Sequence, residues 1–393
     1  MDRSPQHYSP VEFVRYHGVN QTPPYPLTKA AKDIHLVAFF LSMDGGTMIK
    51  IKPVAAERLP DLLRLMPKAE LHMHIEGSLE PELMFALAQR NGLAMAYPDV
   101  AALRRAYVFD DLQSFLDIYH EGTLVLRTEQ DFYDMTLAYL ERAAADHVLH
   151  AEIFFDTQTH TGHGLSADVV INGLHRACVA GRAQFGIDSS LILCFLRHLS
   201  EHEAFECLEQ AMPYRDKLLG VGLASSEVGH PPEKFAGVFA RARQLGFRLV
   251  AHAGEEGPPA YIWSALDVLK VERIDHGVQA LQDPALIARL VKDRIALTVC
   301  PLSNLKLRVF QNLAEHNLGR MLEAGIVATV NSDDPAYFGG YINQNFCQSF
   351  VALGLTAQHA YQLARNSFQA SFVNATAKSD YLERLDACFE TFV

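Results

Sequence analysis

From about Pro67 onward, short runs dense in Val, Ile, Leu and Phe alternate with longer stretches whose apolar positions recur at helical spacing. The runs fall at 68–75, 147–156, 190–197, 218–223, 247–253, 272–276, 294–300 and 326–331. Between them lie amphipathic segments. Leu83, Met84, Leu87 and Ala88 fall on one helical face after Pro81, a residue suited to a first helical turn. Met135, Leu137, Ala138 and Leu140 mark another such segment. A strand followed by a helix, repeated eight times, predicts an α/β fold: a closed parallel (β/α)8 TIM barrel. The gap between the first and second runs is long enough for a helical insertion after the first strand. A doubly wound open sheet is the competing arrangement, but no G-x-G-x-x-G follows the first run.

The first 47 residues break this rhythm. They carry Pro5, Pro10, Pro23, Pro24 and Pro26, show no sustained period, and end at Gly45-Gly46 just before Met48. We expect residues 1–47 to form a flexible, disordered extension, of a kind an upstream start codon would produce, and residues 48–393 to form one barrel domain. A length of 393 residues leaves the domain count open by itself, since roughly 150 residues is typical but one barrel can exceed 250.

Composition narrows the class. Apolar residues make up 49% and charged residues 20%, an ordinary globular balance that excludes a fibrous or disordered chain. Lys plus Arg is 34 against 46 Asp plus Glu, a net charge of −12, which disfavours nucleic acid and anionic membranes as partners. The six cysteines form no C-x-x-C pair and read as reduced, mostly buried thiols. No apolar run approaches a membrane span, and no secretory leader is evident, so we expect a soluble cytoplasmic protein. Oligomeric state is not readable from the chain.

The polar residues that could do chemistry fall at the ends of the runs, where a barrel places its active site. The first run ends in His72-Met73-His74-Ile75-Glu76-Gly77. In a strand, residues i and i+2 face the same side, so His72 and His74 can share one ion. Two hydrogen-bonded core histidines would leave the same pattern. The fifth run ends in His252-Ala253-Gly254-Glu255, the sixth in Asp275-His276-Gly277, and the eighth in Ser332-Asp333-Asp334-Pro335. Paired carboxylates after an apolar strand are costly unless a cation or specific hydrogen bonds hold them. Alone, Asp333-Asp334 reads better as a solvated loop. Together, three imidazoles and Asp333 at the ends of strands one, five and eight would converge on one point. Such a set leaves an open position for water, and it suits zinc while admitting other divalent ions. A bound cation would bring the pKa of its water toward 7. Glu255 could then give a proton to a substrate nitrogen, His276 could orient the water or take its proton, and Asp334 could hydrogen-bond the substrate. H-E-x-x-H, H-x-E with P-C-x-x-C, G-x-S-x-G and the phosphate-loop pattern are all missing.

These segments, with Pro67-Lys68-Ala69-Glu70-Leu71 before the first histidine and Cys300-Pro301 after the seventh run, resemble the adenosine/adenine deaminase family from about Met66 to Leu382. Ile75-Glu76-Gly77-Ser78-Leu79-Glu80-Pro81-Glu82 and Ser225-Ser226-Glu227-Val228-Gly229 look like its bacterial adenine deaminase branch. The resemblance implies one zinc ion on His72, His74, His252 and Asp333, with Glu255 as proton donor, His276 assisting the water and Asp334 binding the purine. The implied reaction is adenine to hypoxanthine plus ammonia, as in purine salvage. Two alternatives stay open: adenosine or another 6-aminopurine as substrate, and a purine- or metal-binding barrel without turnover. Nucleoside-specific members usually carry Asp where Glu76 stands, so the longer Glu76 is expected to occupy the space of a ribose. Capping of a helix near Ser78 is the other role open to it. Ala224 departs from the Asp that usually precedes Ser-Ser-Glu.

Overall fold

The structure, a computed structural model, describes residues 51–392. The extension expected over residues 1–47 lies outside the described residues. Eight strands run parallel in the order β1 to β8: β1 Lys68–His74, β2 Val148–Phe155, β3 Asp188–Leu196, β4 Leu218–Ala224, β5 Arg248–Ala253, β6 Arg273–His276, β7 Ala296–Val299 and β8 Val327–Val330. The last joins the first: Asp333 N–H donates to His72 O at 3.1 Å, and His74 N–H donates to Asp333 O at 2.9 Å. The barrel is thereby closed, and the bond that closes it is made by the residue after Ser332, in the middle of the polar cluster.

The strands read as near-continuous apolar runs because helices outside and side chains inside bury both faces. β2 and β6 show it: all but one residue of β2 and every residue of β6 are buried. Each element begins and ends where its local chemistry dictates. The helix Leu112–Thr123 starts at a capping box between Asp111 and Ser114, and the helix Glu129–Ala145 at one between Thr128 and Asp131. Pro81 opens the helix Pro81–Arg90. The helix Ala167–Phe185 ends on Gly186 at φ +72°, a conformation that costs glycine nothing.

The insertion after β1 contains four helices, Pro81–Arg90, Val100–Ala106, Leu112–Thr123 and Glu129–Ala145. Pro81–Arg90 buries Met84, Leu87 and Ala88 as the spacing predicts. In Glu129–Ala145 the inward face is Phe132, Met135, Thr136, Tyr139 and Leu140, while Ala138 is exposed. Tyr139 turns inward because its hydroxyl donates to Glu70 Oε2 at 2.7 Å.

The barrel interior is layered. A ring of Phe154, Ile192, Cys194, Ala224 and Val250 forms an apolar floor. Elsewhere inside, Arg273 pairs with the buried Glu152 and also donates to Leu71 O at 3.1 Å. At one seam the sheet opens: β4 and β5 pair only at Gly220–Arg248 and Val221–Leu249, so their C-terminal halves diverge. All six cysteines are free thiols, four of them buried. Among the described residues, no helix is long and apolar enough to cross a membrane.

Candidate active site

The C-terminal ends of β1, β5, β6 and the turn after β8 meet above the apolar floor. His72 Nε2 lies 3.2 Å from Asp333 Oδ1, and His74 Nε2 lies 3.5 Å from the same oxygen. His74 Nε2 and His252 Nε2 are 3.0 Å apart. The four side chains thus present one ligand atom each, all within 4.8 Å of one another. His72 is fully buried and His252 is 6% exposed, so solvent does not screen the group.

The other ring nitrogens decide the tautomers. Thr298 Oγ1 donates to Asp275 Oδ1 at 2.9 Å, so its lone pairs face His72 Nδ1 at 3.0 Å. Thr298 O lies 3.2 Å from the same nitrogen. Both neighbours are acceptors there, so Nδ1 of His72 carries the hydrogen and Nε2 carries a lone pair. Asp275 Oδ2 stands 3.4 Å from His252 Nδ1 and does the same for that ring. His252 Nε2 therefore aims a lone pair at His74 Nε2, 3.0 Å away and beside the Asp333 carboxylate, a set of atoms that one cation can share. Burial also holds His74 down to about 3 and His252 below its usual value, which keeps both rings neutral and able to ligate. This donor set of nitrogen and carboxylate oxygen fits a divalent ion of the zinc type. A second quartet, His72, His276, Cys300 and Asp333, is also compact. It fits less well, because burial pushes the Cys300 thiol far above its usual value and a thiol must ionise to ligate.

The neighbouring residues are placed for proton transfer. His276 Nε2 is 3.4 Å from Glu255 Oε2 and 3.9 Å from Asp333 Oδ2. Asn304 Nδ2 sits 3.4 Å from both Glu255 Oε1 and His276 Nδ1, and its own Oδ1 faces His316 Nε2 at 3.3 Å. Burial, with Asp333 nearby, raises the Glu255 carboxyl well above the ordinary range. Burial pulls His276 well below its ordinary value, so it is neutral at pH 7. His276 and Asp333 both hold left-handed backbone, at φ +64° and +62°, rare for non-glycine residues and concentrated at functional sites.

A cavity opens from this cluster. His74, His252, Glu255, His276, Asp333 and Asp334 form its polar end. Phe115, Leu116, Tyr119, Leu307 and Phe338 enclose it, with the first three supplied by the insertion. Asp334 Oδ1 is buried and has no partner, and burial with Asp333 alongside raises its carboxyl. Gly77 packs so closely on Asp334 that a side chain there would overlap the carboxylate.

Glu76 stands behind the wall instead of in it. Its carboxylate faces His160 Nε2 at 3.1 Å and accepts from Tyr119 Oη at 3.4 Å. The capping role open to Glu76 is not adopted: it begins a short 3-10 turn, Glu76–Ser78, without any side-chain cap, and the next helix starts only at Pro81. Its oxygens go to His160 and Tyr119, whose positions 84 and 43 residues away no local pattern announces.

A sequence model of the family described as adenosine deaminase matches residues 67–388. The chain belongs to that family. It is 81% identical over 342 residues to a protein named adenine deaminase from Albidiferax ferrireducens, covering 87% of this chain and 99% of that one. The crystal structure of an adenine deaminase from Arthrobacter aurescens superposes with a TM-score of 0.82 at 49% identity, over 83% of this chain and all of the other. An amidohydrolase from Burkholderia ambifaria, solved with bound Zn, gives a TM-score of 0.78 at 28% identity, over 88% and 96% of the two chains.

Against this family background, the supporting residues Asp275, Thr298 and Asn304 went unassigned in the sequence. Asp275 could have been suspected, because a buried strand rarely carries a carboxylate without a partner. Thr298 and Asn304 carried no signal, since isolated Thr and Asn are common everywhere. Ala224 lines the cavity as part of the apolar floor, against Phe154, Cys194 and Val250.

Proposed function

We infer that this protein hydrolyses the 6-amino group of adenine, giving hypoxanthine and ammonia. The observation that carries this is the meeting of His72, His74, His252 and Asp333 in one small cavity beside a buried Glu255, whose carboxyl burial raises well above the ordinary range. The relatives named adenine deaminase, similar over nearly their whole length, support the same reading.

In this reading His72, His74, His252 and Asp333 hold one zinc ion. The bound ion would supply an activated water at neutral pH. Everything else falls to the side chains. Asp334, with an unpartnered buried oxygen, bonds the purine ring and fixes its orientation. Glu255 gives its proton to the ring nitrogen beside C6, which makes that carbon electrophilic. His276, neutral and 3.9 Å from Asp333 Oδ2, receives the proton of the attacking water. Addition at C6 makes a tetrahedral carbon. Its collapse, with the proton on His276 delivered to the amino nitrogen and the hydroxyl proton returned to Glu255, breaks the C–N bond and releases ammonia. Phe115, Leu116 and Phe338 exclude bulk water, so the charge changes take place in a low dielectric.

Glu76 serves the choice of base over nucleoside. Through Tyr119 and His160 it stiffens the wall on the insertion side of the cavity, where a sugar on the base would have to pass. The test is a panel of adenine, adenosine and N6-substituted purines assayed for ammonia, with metal content measured on the same sample. The expected result is a higher kcat/KM for adenine than for adenosine and about one zinc per chain. Faster turnover of adenosine would overturn the substrate assignment. Full activity in metal-free protein would overturn the ligand assignment.

A further inference from the structure

The Ser225-Ser226-Glu227 segment has no role in the chemistry described so far, yet the structure gives Glu227 an uncommon set of contacts. It lies just past the end of β4 and is 1% exposed. Its Oε1 accepts from Gly254 N at 2.6 Å. Its Oε2 accepts from Glu255 N at 3.0 Å, Glu256 N at 2.8 Å and Gly257 N at 2.8 Å. Four consecutive amides therefore point at one carboxylate, an arrangement normally met around a bound anion. Among the described residues, Glu227 has no cationic side chain within ion-pair distance. The four amides, with the charge of the nearby buried Arg197, offset its desolvation.

The sheet explains why a side chain does this work. β4 and β5 stop pairing after Val221–Leu249, so the far end of β5 has no strand beside it on that edge. Side chains take up its backbone groups. Arg197, buried at the end of β3, donates to His252 O at 2.7 Å and to His230 O at 2.8 Å. Glu227 takes the amides of the turn that follows. Two glycines shape the cradle. Gly254 adopts φ +71°, and a Cβ on Gly257 would lie 2.7 Å from Glu227 Oε1.

We propose that Glu227 is a positioning residue of the reaction: by holding four amides, its carboxylate fixes the turn that carries Glu255 and so sets where the proton donor stands. The second residue of that turn is Glu255, whose Oε2 lies 3.4 Å from His276 and whose own carbonyl is tied to Gln279 Nε2 at 2.9 Å. A neutral amide at position 227 has one acceptor oxygen for four donors, and its NH2 group opposes the rest. The turn would then relax, and Glu255 would leave proton-transfer distance without loss of substrate contacts. An error of ~1 Å costs on the order of 100-fold.

The proposal rests on Glu255 as proton donor, and a double-mutant cycle separates the two ideas. Parent, E227Q, E255Q and the double variant are assayed with adenine as zinc-loaded enzymes, with metal content and folding checked for each. E255Q alone tests the donor assignment: if it keeps parental kcat, that assignment fails first. For Glu227 the expected result is a fall in kcat of ~100-fold in E227Q, with KM within threefold of the parent and metal content unchanged. In the E255Q background the same change should lower the rate by less than threefold, because a positioning residue has nothing left to position. The proposal is overturned by a parental kcat in E227Q, by a loss confined to KM, by a loss reversed on adding zinc, or by a further loss above threefold in the double variant. If E227Q does not fold, G257A presses on the same carboxylate, and on the Tyr261 ring beside it, while keeping the charge. There kcat should fall at least tenfold, and an unchanged kcat overturns the idea.

Discussion

Asp275 bears on two of the four proposed ligands, on His252 directly and on His72 through Thr298, and the two effects can be separated by mutation. Its Oδ2 faces His252 Nδ1 at 3.4 Å, and its Oδ1 accepts from Thr298, whose oxygen in turn lies 3.0 Å from His72 Nδ1. D275N keeps an acceptor for Thr298 but can no longer stabilise a hydrogen on His252 Nδ1 by charge. D275A removes the acceptor for both. Outer partners of ligating histidines typically contribute 10- to 100-fold to metal affinity. One disturbed ring should therefore cost ~10-fold, or about 1.4 kcal/mol, and two disturbed rings ~100-fold, or about 2.7 kcal/mol. The assay is zinc competition against a chelator of known affinity, read by mass spectrometry, with deaminase activity followed against free zinc. Both variants should recover most of their activity at saturating zinc, since no proton-transfer group is removed. The reasoning fails if D275A binds zinc as tightly as the parent, or if D275N is the weaker of the two.

Further outcomes follow from the same geometry. E255Q should lower kcat by ~10²- to 10⁴-fold while retaining its metal, measured by ammonia release and metal analysis. G77A should cut kcat/KM for adenine at least ~10-fold and also lower the melting temperature, because the new methyl overlaps the buried Asp334 side chain and forces its carboxylate out of place. R273M takes the guanidinium from the buried Glu152, leaving it only His150 at 3.3 Å and the Phe372 amide, and should destabilise the fold by up to ~3–5 kcal/mol in a urea titration. Lys68 is fully buried, and desolvation lowers it from 10.5 to about 7. Because its folded value is depressed, the unfolded chain binds the extra proton between those two values. Its contribution to stability is therefore complete above about 10.5 and lost as pH falls toward 7. The difference in melting temperature between parent and K68M should change in that window, to the advantage of K68M at the lower pH. A pH-independent difference would refute the assignment.

How much could be read in advance differs by residue. His72 and His74 were legible because a strand puts i and i+2 on one face, and that rule needs no partner. Glu255, His276 and Asp334 were legible because they follow apolar runs in which a charge is out of place. Glu76 was legible as a chemical residue, but its setting was not: whether its carboxylate enters the cavity or turns to His160 and Tyr119 depends on helices far along the chain. The inward turn of Tyr139 was hidden for a like reason, since only Glu70 in the folded barrel calls for it.

The amino-acid order alone determined the eight strand–helix repeats, the insertion after the first strand, and the rim to which the polar residues belong. These follow from periodicity and from the cost of burying a charge, both local properties of the chain. Only the tertiary structure decided the 3.0 Å approach of His74 to His252, the tautomers imposed by Thr298 and Asp275, and the hold of Glu227 on the turn after β5. Those depend on strand register, on barrel closure through Asp333 and on the divergence of β4 from β5. Each is a relation between residues tens to hundreds of positions apart, and closing the barrel is what brings them within hydrogen-bond reach.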